Sequence, residues 1–175
     1  EMFSVVRVVV IGGGWSGCAA AISARKAGAD VTLLERTDML LGTGLVGGIM
    51  RNNGRFTATE EMIAMGGGDL FELCDNNSRH KDIEFPGHKH ASLYDIAAVH
   101  GAVLSRIKEL GINVYFKSRI VKLDTFEGNI VSVETKEGKV FKGDVFIDAT
   151  GTAGPQANCV KYGNGCAMCI LRCPS

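Results

Sequence analysis

The residues best equipped for chemistry form the run Gly12-Gly13-Gly14-Trp15-Ser16-Gly17, with the carboxylate Glu35 following further along. Glycines at this spacing remove side chains where a backbone must come close to a bulky anion. Gly12 permits a tight turn, Gly14 lets the main chain approach a pyrophosphate, and Gly17 lets a helix pack closely on a strand. Trp15 and Ser16 sit inside the same turn and are candidates for contact with the same ligand. A carboxylate at Glu35 can accept hydrogen bonds from ribose hydroxyls and repels a 2′-phosphate. The pattern therefore points to an adenine dinucleotide, FAD or NAD, and away from NADP.

Such a site needs a strand before the glycines and a helix after them. Val8-Val9-Val10-Ile11 is a continuous apolar run suited to a strand buried on both faces of a parallel sheet. The next segment is rich in small residues (Cys18, Ala19, Ala20, Ala21, Ala24, Ala27) and predicts a helix that stops at Gly28. The free N–H groups and dipole at its start favour phosphate. Val31-Thr32-Leu33-Leu34 then predicts the strand that delivers Glu35.

Further on, Gly42-Thr43-Gly44-Leu45-Val46-Gly47-Gly48 reads as a second glycine-rich loop with a short helix. Helices are predicted around Thr59 to Met65 and Asp69 to Leu73, separated by Gly66-Gly67-Gly68. The polar stretch from Asp75 to His90, with Pro86-Gly87, predicts a loop. Ser92-Leu93-Tyr94-Asp95 resembles a capping box for a helix that runs to Leu110 and ends at Gly111. Ile112 to Phe116 predicts a strand, and Ile120–Thr125, Ile130–Thr135 and Lys139–Lys142 predict a three-stranded meander. Asp144 to Asp148 returns as a buried strand and runs into a glycine turn from Ala149 to Pro155. The expected fold class is α/β, a parallel sheet with a small antiparallel meander.

Composition bounds the function. The 175 residues are 46% hydrophobic and carry 19 basic and 19 acidic side chains, which suits one globular domain. Zero net charge argues against a nucleic-acid or membrane-surface binder. No apolar run approaches the ~20 residues that span a bilayer. No secretory signal is visible at Glu1-Met2-Phe3-Ser4, so the six cysteines are expected as reduced thiols or ligands in a cytoplasmic setting.

Three blocks resemble the FAD-dependent oxidoreductases with a Rossmann-type, glutathione-reductase-like FAD domain. They are Val8–Gly17 with Glu35, Gly42–Gly48, and Val145-Phe146-Ile147-Asp148-Ala149-Thr150-Gly151. The meander between the blocks favours FAD over NAD, because NAD domains usually continue with further βα units. The resemblance implies that Gly12, Gly14 and Gly17 face the pyrophosphate and Glu35 the adenosine ribose. It places Arg36 near adenine, Gly42 and Thr43 near the phosphates or ribityl chain, Ile120 beside adenine, and Thr150 and Gly151 close to the dinucleotide. It also implies a flavin-dependent redox step on a small organic substrate. An acidic pair typically follows the Ala-Thr-Gly turn in this family, and Thr152-Ala153-Gly154-Pro155 stands there instead. Such flavoproteins run to several hundred residues. The resemblance therefore implies a FAD-binding domain at residues 1–158, with a mixed insertion at about 49–91, completed by a second polypeptide or a C-terminal fragment. On that basis this chain by itself is expected not to retain FAD.

Residues 159–175 form a cysteine-rich segment. Cys166, Cys169 and Cys173-Pro174 give C-x₂-C-x₃-C-P, with Cys159 seven residues upstream. Three readings stay open. The thiolates can ligate an iron–sulfur cluster, making the chain an electron-transfer subunit. Cys166 and Cys169 can form a redox-active C-x-x-C beside the flavin. They can equally be small buried residues lining a site to which Arg172 supplies a cation. A structural zinc site lacks a clear fourth ligand. A non-catalytic nucleotide-binding assembly subunit is a further alternative for the whole chain. His80, His88, His90 and His100 are acid–base candidates by type, but His88 and His90 read as residues of a solvated loop with Lys89, and His100 as a surface or packing residue of the long helix.

Overall fold

The computed structural model describes residues 4–42, 45, 59–86 and 88–151. Its centre is a four-stranded parallel sheet built from β1 (Arg7–Ile11), β2 (Asp30–Leu34), β5 (Asn113–Tyr115) and β9 (Val145–Asp148), in the order β5-β2-β1-β9. Apolar residues on both faces of β1 explain why it is central. Val8 and Val10 join one buried cluster, and Val9 joins the other. The first cluster lies under the helical layer, where α1 (Trp15–Lys26) contributes Cys18, Ala21 and Ile22, and α4 (Ile96–Glu109) contributes Val99, Val103 and Ile107. The second lies under the meander of β6 (Ile120–Phe126), β7 (Asn129–Thr135) and β8 (Val140–Lys142), with Val133 and Phe141 packed over Val9 and Leu34. Two layers thus cover the sheet, as a parallel sheet requires. α1 ends where the sequence indicates, with Gly28 at φ +94 just past the cap residue Ala27.

The meander follows its sequence pattern. Its first turn is made by Glu127 (φ +49) and Gly128 (φ +79), the two positive φ values that a two-residue hairpin of the right twist needs. The short helices α2 (Thr59–Ala64) and α3 (Asp69–Asn76) also lie where expected.

Two expectations fail. The stretch from Asp75 to His90 was expected as loop, yet Ser78–Phe85 (β3) and His88–Tyr94 (β4) form an antiparallel hairpin, which places His80 on β3 and His88 and His90 on β4. Three register shifts interrupt the pairing, and Arg79, His80, Lys81, Asp82 and Glu84 are all exposed. A bulged strand with an almost wholly polar face has no period-2 signature to read. The long helix begins later than Ser92, because Ser92–Tyr94 belong to β4. Asp95 is the cap, its Oδ1 accepting from the amides of Ala97 (3.0 Å) and Ala98 (3.3 Å).

The two ends of the described domain are joined by one ion pair. Arg7 Nη2 lies 2.7 Å from Asp144 Oδ1, and the Arg7 Nε and backbone amide both donate to Oδ2. The guanidinium bonds first, and the amide bond next, pull the Asp144 carboxyl down to about 2. A carboxyl depressed in the folded state stabilises the fold above its unfolded value of ~3.9, and that stabilisation is lost as pH falls through the folded value. The stability deficit of Asp144→Asn against the wild type, read by urea unfolding, is therefore expected to be full above about pH 5 and to shrink toward about pH 2. A deficit independent of pH would remove the ion pair from the account.

Candidate functional site

The carboxyl ends of three parallel strands meet at one edge of the sheet. Ile11 at the end of β1 pairs with Leu34 of β2 on one side and Asp148 of β9 on the other. The residues that follow, Gly12, Glu35 and Ala149, are therefore level with one another. Gly12 N donates to Leu34 O (2.8 Å) and Ala149 N to Ile11 O (2.8 Å), so the backbone stitches the three ends together. From β1 the chain proceeds to β2 and β5 on one side, and it returns to β9 on the other. This is a switch point of an open α/β sheet, where such folds bind ligands.

The glycines divide into two kinds. A Cβ on Gly12, whose φ is +103, would run into the Ala149 carbonyl, and a Cβ on Gly17 would run into the Gly12 carbonyl. A Cβ on Gly13 would lie 2.8 Å from Leu40 Cδ2 and 3.1 Å from Glu35 Oε2. These three positions are closed by the protein itself. Gly14 is the reverse: among the described residues, its added Cβ would meet nothing within 4 Å. It precedes α1, whose first turn has no side-chain cap and no acidic residue. The first amides of a helix have no intrahelical acceptor. An open glycine beside uncapped helix amides fits a dinucleotide's diphosphate.

Glu35 is buried at 6% exposure beside this opening. Its Oε2 accepts from Gly13 N at 2.8 Å. Its Oε1 accepts from Thr37 N at 2.7 Å and Thr37 Oγ1 at 2.9 Å. The carboxylate is thus fixed from both sides. The second glycine-rich stretch begins against the first: Leu41 N donates to Gly13 O at 2.7 Å, and Gly42 lies beside the Gly14 Cα. Behind the turn, Cys18 Sγ donates to Gly13 O at 3.2 Å, and burial pushes this thiol up to about 12. Cys18 is therefore a neutral packing group.

The other sequence candidates fall around this centre. Trp15 turns its ring onto Tyr94, with centroids 5.6 Å apart, and so ties β4 to the glycine turn. Ser16 and Arg36 are exposed. Ile120 starts β6 and packs against the second cluster, close to Glu35 through the bond from Ser118 N to Glu35 O (2.8 Å). Thr150 donates through N (3.0 Å) and Oγ1 (2.7 Å) to Asp148 Oδ1, and Gly151 follows at φ +74. Thr43, Cys159, Cys166, Cys169 and Cys173 lie outside the described residues. Among the described residues, no group of three or more His, Cys, Asp or Glu is placed to hold a metal ion. None of the described helices is long and apolar enough to cross a membrane. The motif reading missed two residues, Gly13 and Thr37. Three consecutive glycines signalled the first. For the second, only a hydroxyl two residues beyond the acid was visible.

A sequence profile of FAD dependent oxidoreductases matches residues 7–154. The chain belongs to this family. Its parallel sheet and glycine turn are the Rossmann-type fold of the structures that it resembles. Solved structures with the same fold include FqzB, at TM-score 0.62 and 21% identity over 90% of this chain and 38% of that one. The Diels-Alderase PyrE3 of pyrroindomycin biosynthesis matches at 0.59 and 21%, over 84% of this chain and 32% of its own. 2-Methyl-3-hydroxypyridine-5-carboxylic acid oxygenase matches at 0.59 and 21%, over 86% and 40%. The family member described here thus spans about a third to two-fifths of the chains it resembles. No curated protein matches it.

The two kinds of glycine predict opposite outcomes. Gly17→Ala forces a methyl into a backbone carbonyl and is expected to lower stability by roughly 3 kcal/mol or more. Gly14→Ala is expected to cost less than about 1 kcal/mol, since its φ of −71 suits any residue and none of the described residues comes within 4 Å of the added methyl. Chemical denaturation of both variants checks this, and equal losses would refute the distinction.

Proposed function

We propose that this chain forms the adenosine-diphosphate end of a FAD site in an oxidoreductase acting on a small organic substrate. The observation that carries the reading is the open face at Gly14 beside the fixed Glu35 carboxylate, at the switch point of the sheet. The amides from Gly14 to Gly17 hold the diphosphate, and Gly12 and Gly17 keep helix and strand close enough to aim them. Glu35 binds the adenosine ribose, and Arg36 and Ile120 flank adenine. Gly42 and Thr43 approach the phosphates or ribityl chain, and Thr150 and Gly151 border the dinucleotide from β9. FAD, when bound, accepts a hydride or an electron pair. The chain's own contribution is binding and orientation.

The short span relative to similar structures supports completion of the site by a second polypeptide or a further C-terminal portion. One similar structure is an oxygenase of a pyridine carboxylic acid, which supports the small organic substrate. Glu35→Gln keeps the size, removes the charge and turns an NH2 group toward one of the backbone N–H donors that Glu35 accepts from. In the completed protein it is expected to weaken FAD binding, followed by flavin fluorescence or calorimetry, by about tenfold or more. Unchanged affinity would overturn the reading.

A second reading rests on the spacing of Cys166, Cys169 and Cys173, in which these thiolates with Cys159 hold an iron–sulfur cluster that takes electrons from the flavin. Iron and acid-labile sulfide are then expected in stoichiometric amounts in anaerobically purified protein. Their absence excludes the cluster.

A further inference from the structure

We infer that Thr37 is a positioning residue, which fixes the Glu35 carboxylate so that a single acceptor site remains for the sugar, on Oε2. This rests on the proposed role of Glu35 at the ribose. An ionised carboxylate offers about four acceptor sites, two on each oxygen. Oε1 receives both the amide (2.7 Å) and the hydroxyl (2.9 Å) of Thr37, and is full. Among the described residues, Oε2 receives only the Gly13 amide, at 2.8 Å. The remaining site therefore lies on the oxygen that also touches the glycine turn.

The Thr37 hydroxyl has one proton and two acceptors within reach, Glu35 Oε1 at 2.9 Å and Met39 O at 3.1 Å. The charged acceptor is nearer and makes the stronger bond. The hydroxyl also accepts from Met39 N at 3.3 Å, which orients its proton toward the carboxylate. Meanwhile Thr37 O accepts from Lys117 N at 2.8 Å and Glu35 O accepts from Ser118 N at 2.8 Å, so the backbone carrying both residues is pinned to the chain leading into β6. The side-chain bond then sets the rotation of the carboxylate about its last torsion. Without it, Oε1 is left with an open acceptor site, and the two oxygens compete for the sugar.

The test compares ADP with 2′-deoxy-ADP on the full chain, by calorimetry. Wild type is expected to prefer ADP by about tenfold, the worth of a hydrogen bond to a charged acceptor. Thr37→Val keeps the shape and the backbone bond and removes the hydroxyl. It is expected to reduce that preference to about threefold or less, with Thr37→Ser restoring it. A purely structural role would weaken both nucleotides alike and leave the ratio unchanged, which overturns the positioning role. Failure of wild type to bind ADP, or to distinguish the two nucleotides, overturns the ribose assignment of Glu35 and this inference with it. Thermal unfolding of Thr37→Val within a few degrees of wild type confirms that the ratio reports geometry rather than damage.

Discussion

The bond from the Gly13 amide to the Glu35 carboxylate is the constraint on which the site depends. It is a buried, charge-assisted hydrogen bond between the turn after β1 and the end of β2. Such bonds are short and about twice as strong as neutral ones. Its formation requires Gly13 to have no side chain, because a Cβ there would crowd the same carboxylate. It also requires β1 and β2 to end level, which their register provides by pairing Ile11 with Leu34. Burial raises the stakes, since an unpaired carboxylate in this position would be expensive to desolvate. One contact thus links strand register, turn composition and the electrostatics of the opening.

The remaining architecture supports this contact from two sides. Helices α1 and α4 cover one face of the sheet and hold Cys18 and Val99 against the back of the turn and the core. The meander covers the other face, and its approach to the sheet passes directly beside Glu35 through Ser118. The β3–β4 hairpin reaches the turn through Tyr94 and Trp15. Elements distant in sequence therefore converge on a few residues at the strand ends, where helix amides and a carboxylate face the same opening.

The parts of this arrangement legible in the sequence are those with a local physical signature. The valine run of β1, the glycine spacing, the small residues of α1 and the turn at Glu127-Gly128 each state their own conformation. The β3–β4 hairpin does not, because its register is shifted by bulges and β3 exposes Arg79, Lys81, Asp82 and Glu84 without alternation. Asp95 displaced Ser92 as the helix cap because β4 extends through Tyr94, a tertiary fact absent from the capping pattern. Gly13 and Thr37 acquire their importance only when Glu35 folds back between them. The position of the acid was readable, whereas the groups that aim it were set by three-dimensional closure.

The strand order also governs how the protein assembles. β9 takes its place beside β1 only after the chain has travelled through α1, β2, α2, α3, the β3–β4 hairpin, α4, β5 and the meander. Arg7 and Asp144, which meet at that seam, stand 137 positions apart. Closing a loop of that size costs about 4 kcal/mol in chain entropy by the logarithmic law. Local units such as β1-α1-β2 and the meander lie on the fast side of that cost, and the docking of β9 on the slow side. The opening beside Gly14 acquires its third wall at that last step, so a molecule gripping both Gly12 and Thr150 would act as a clasp on the slowest-forming seam of the domain.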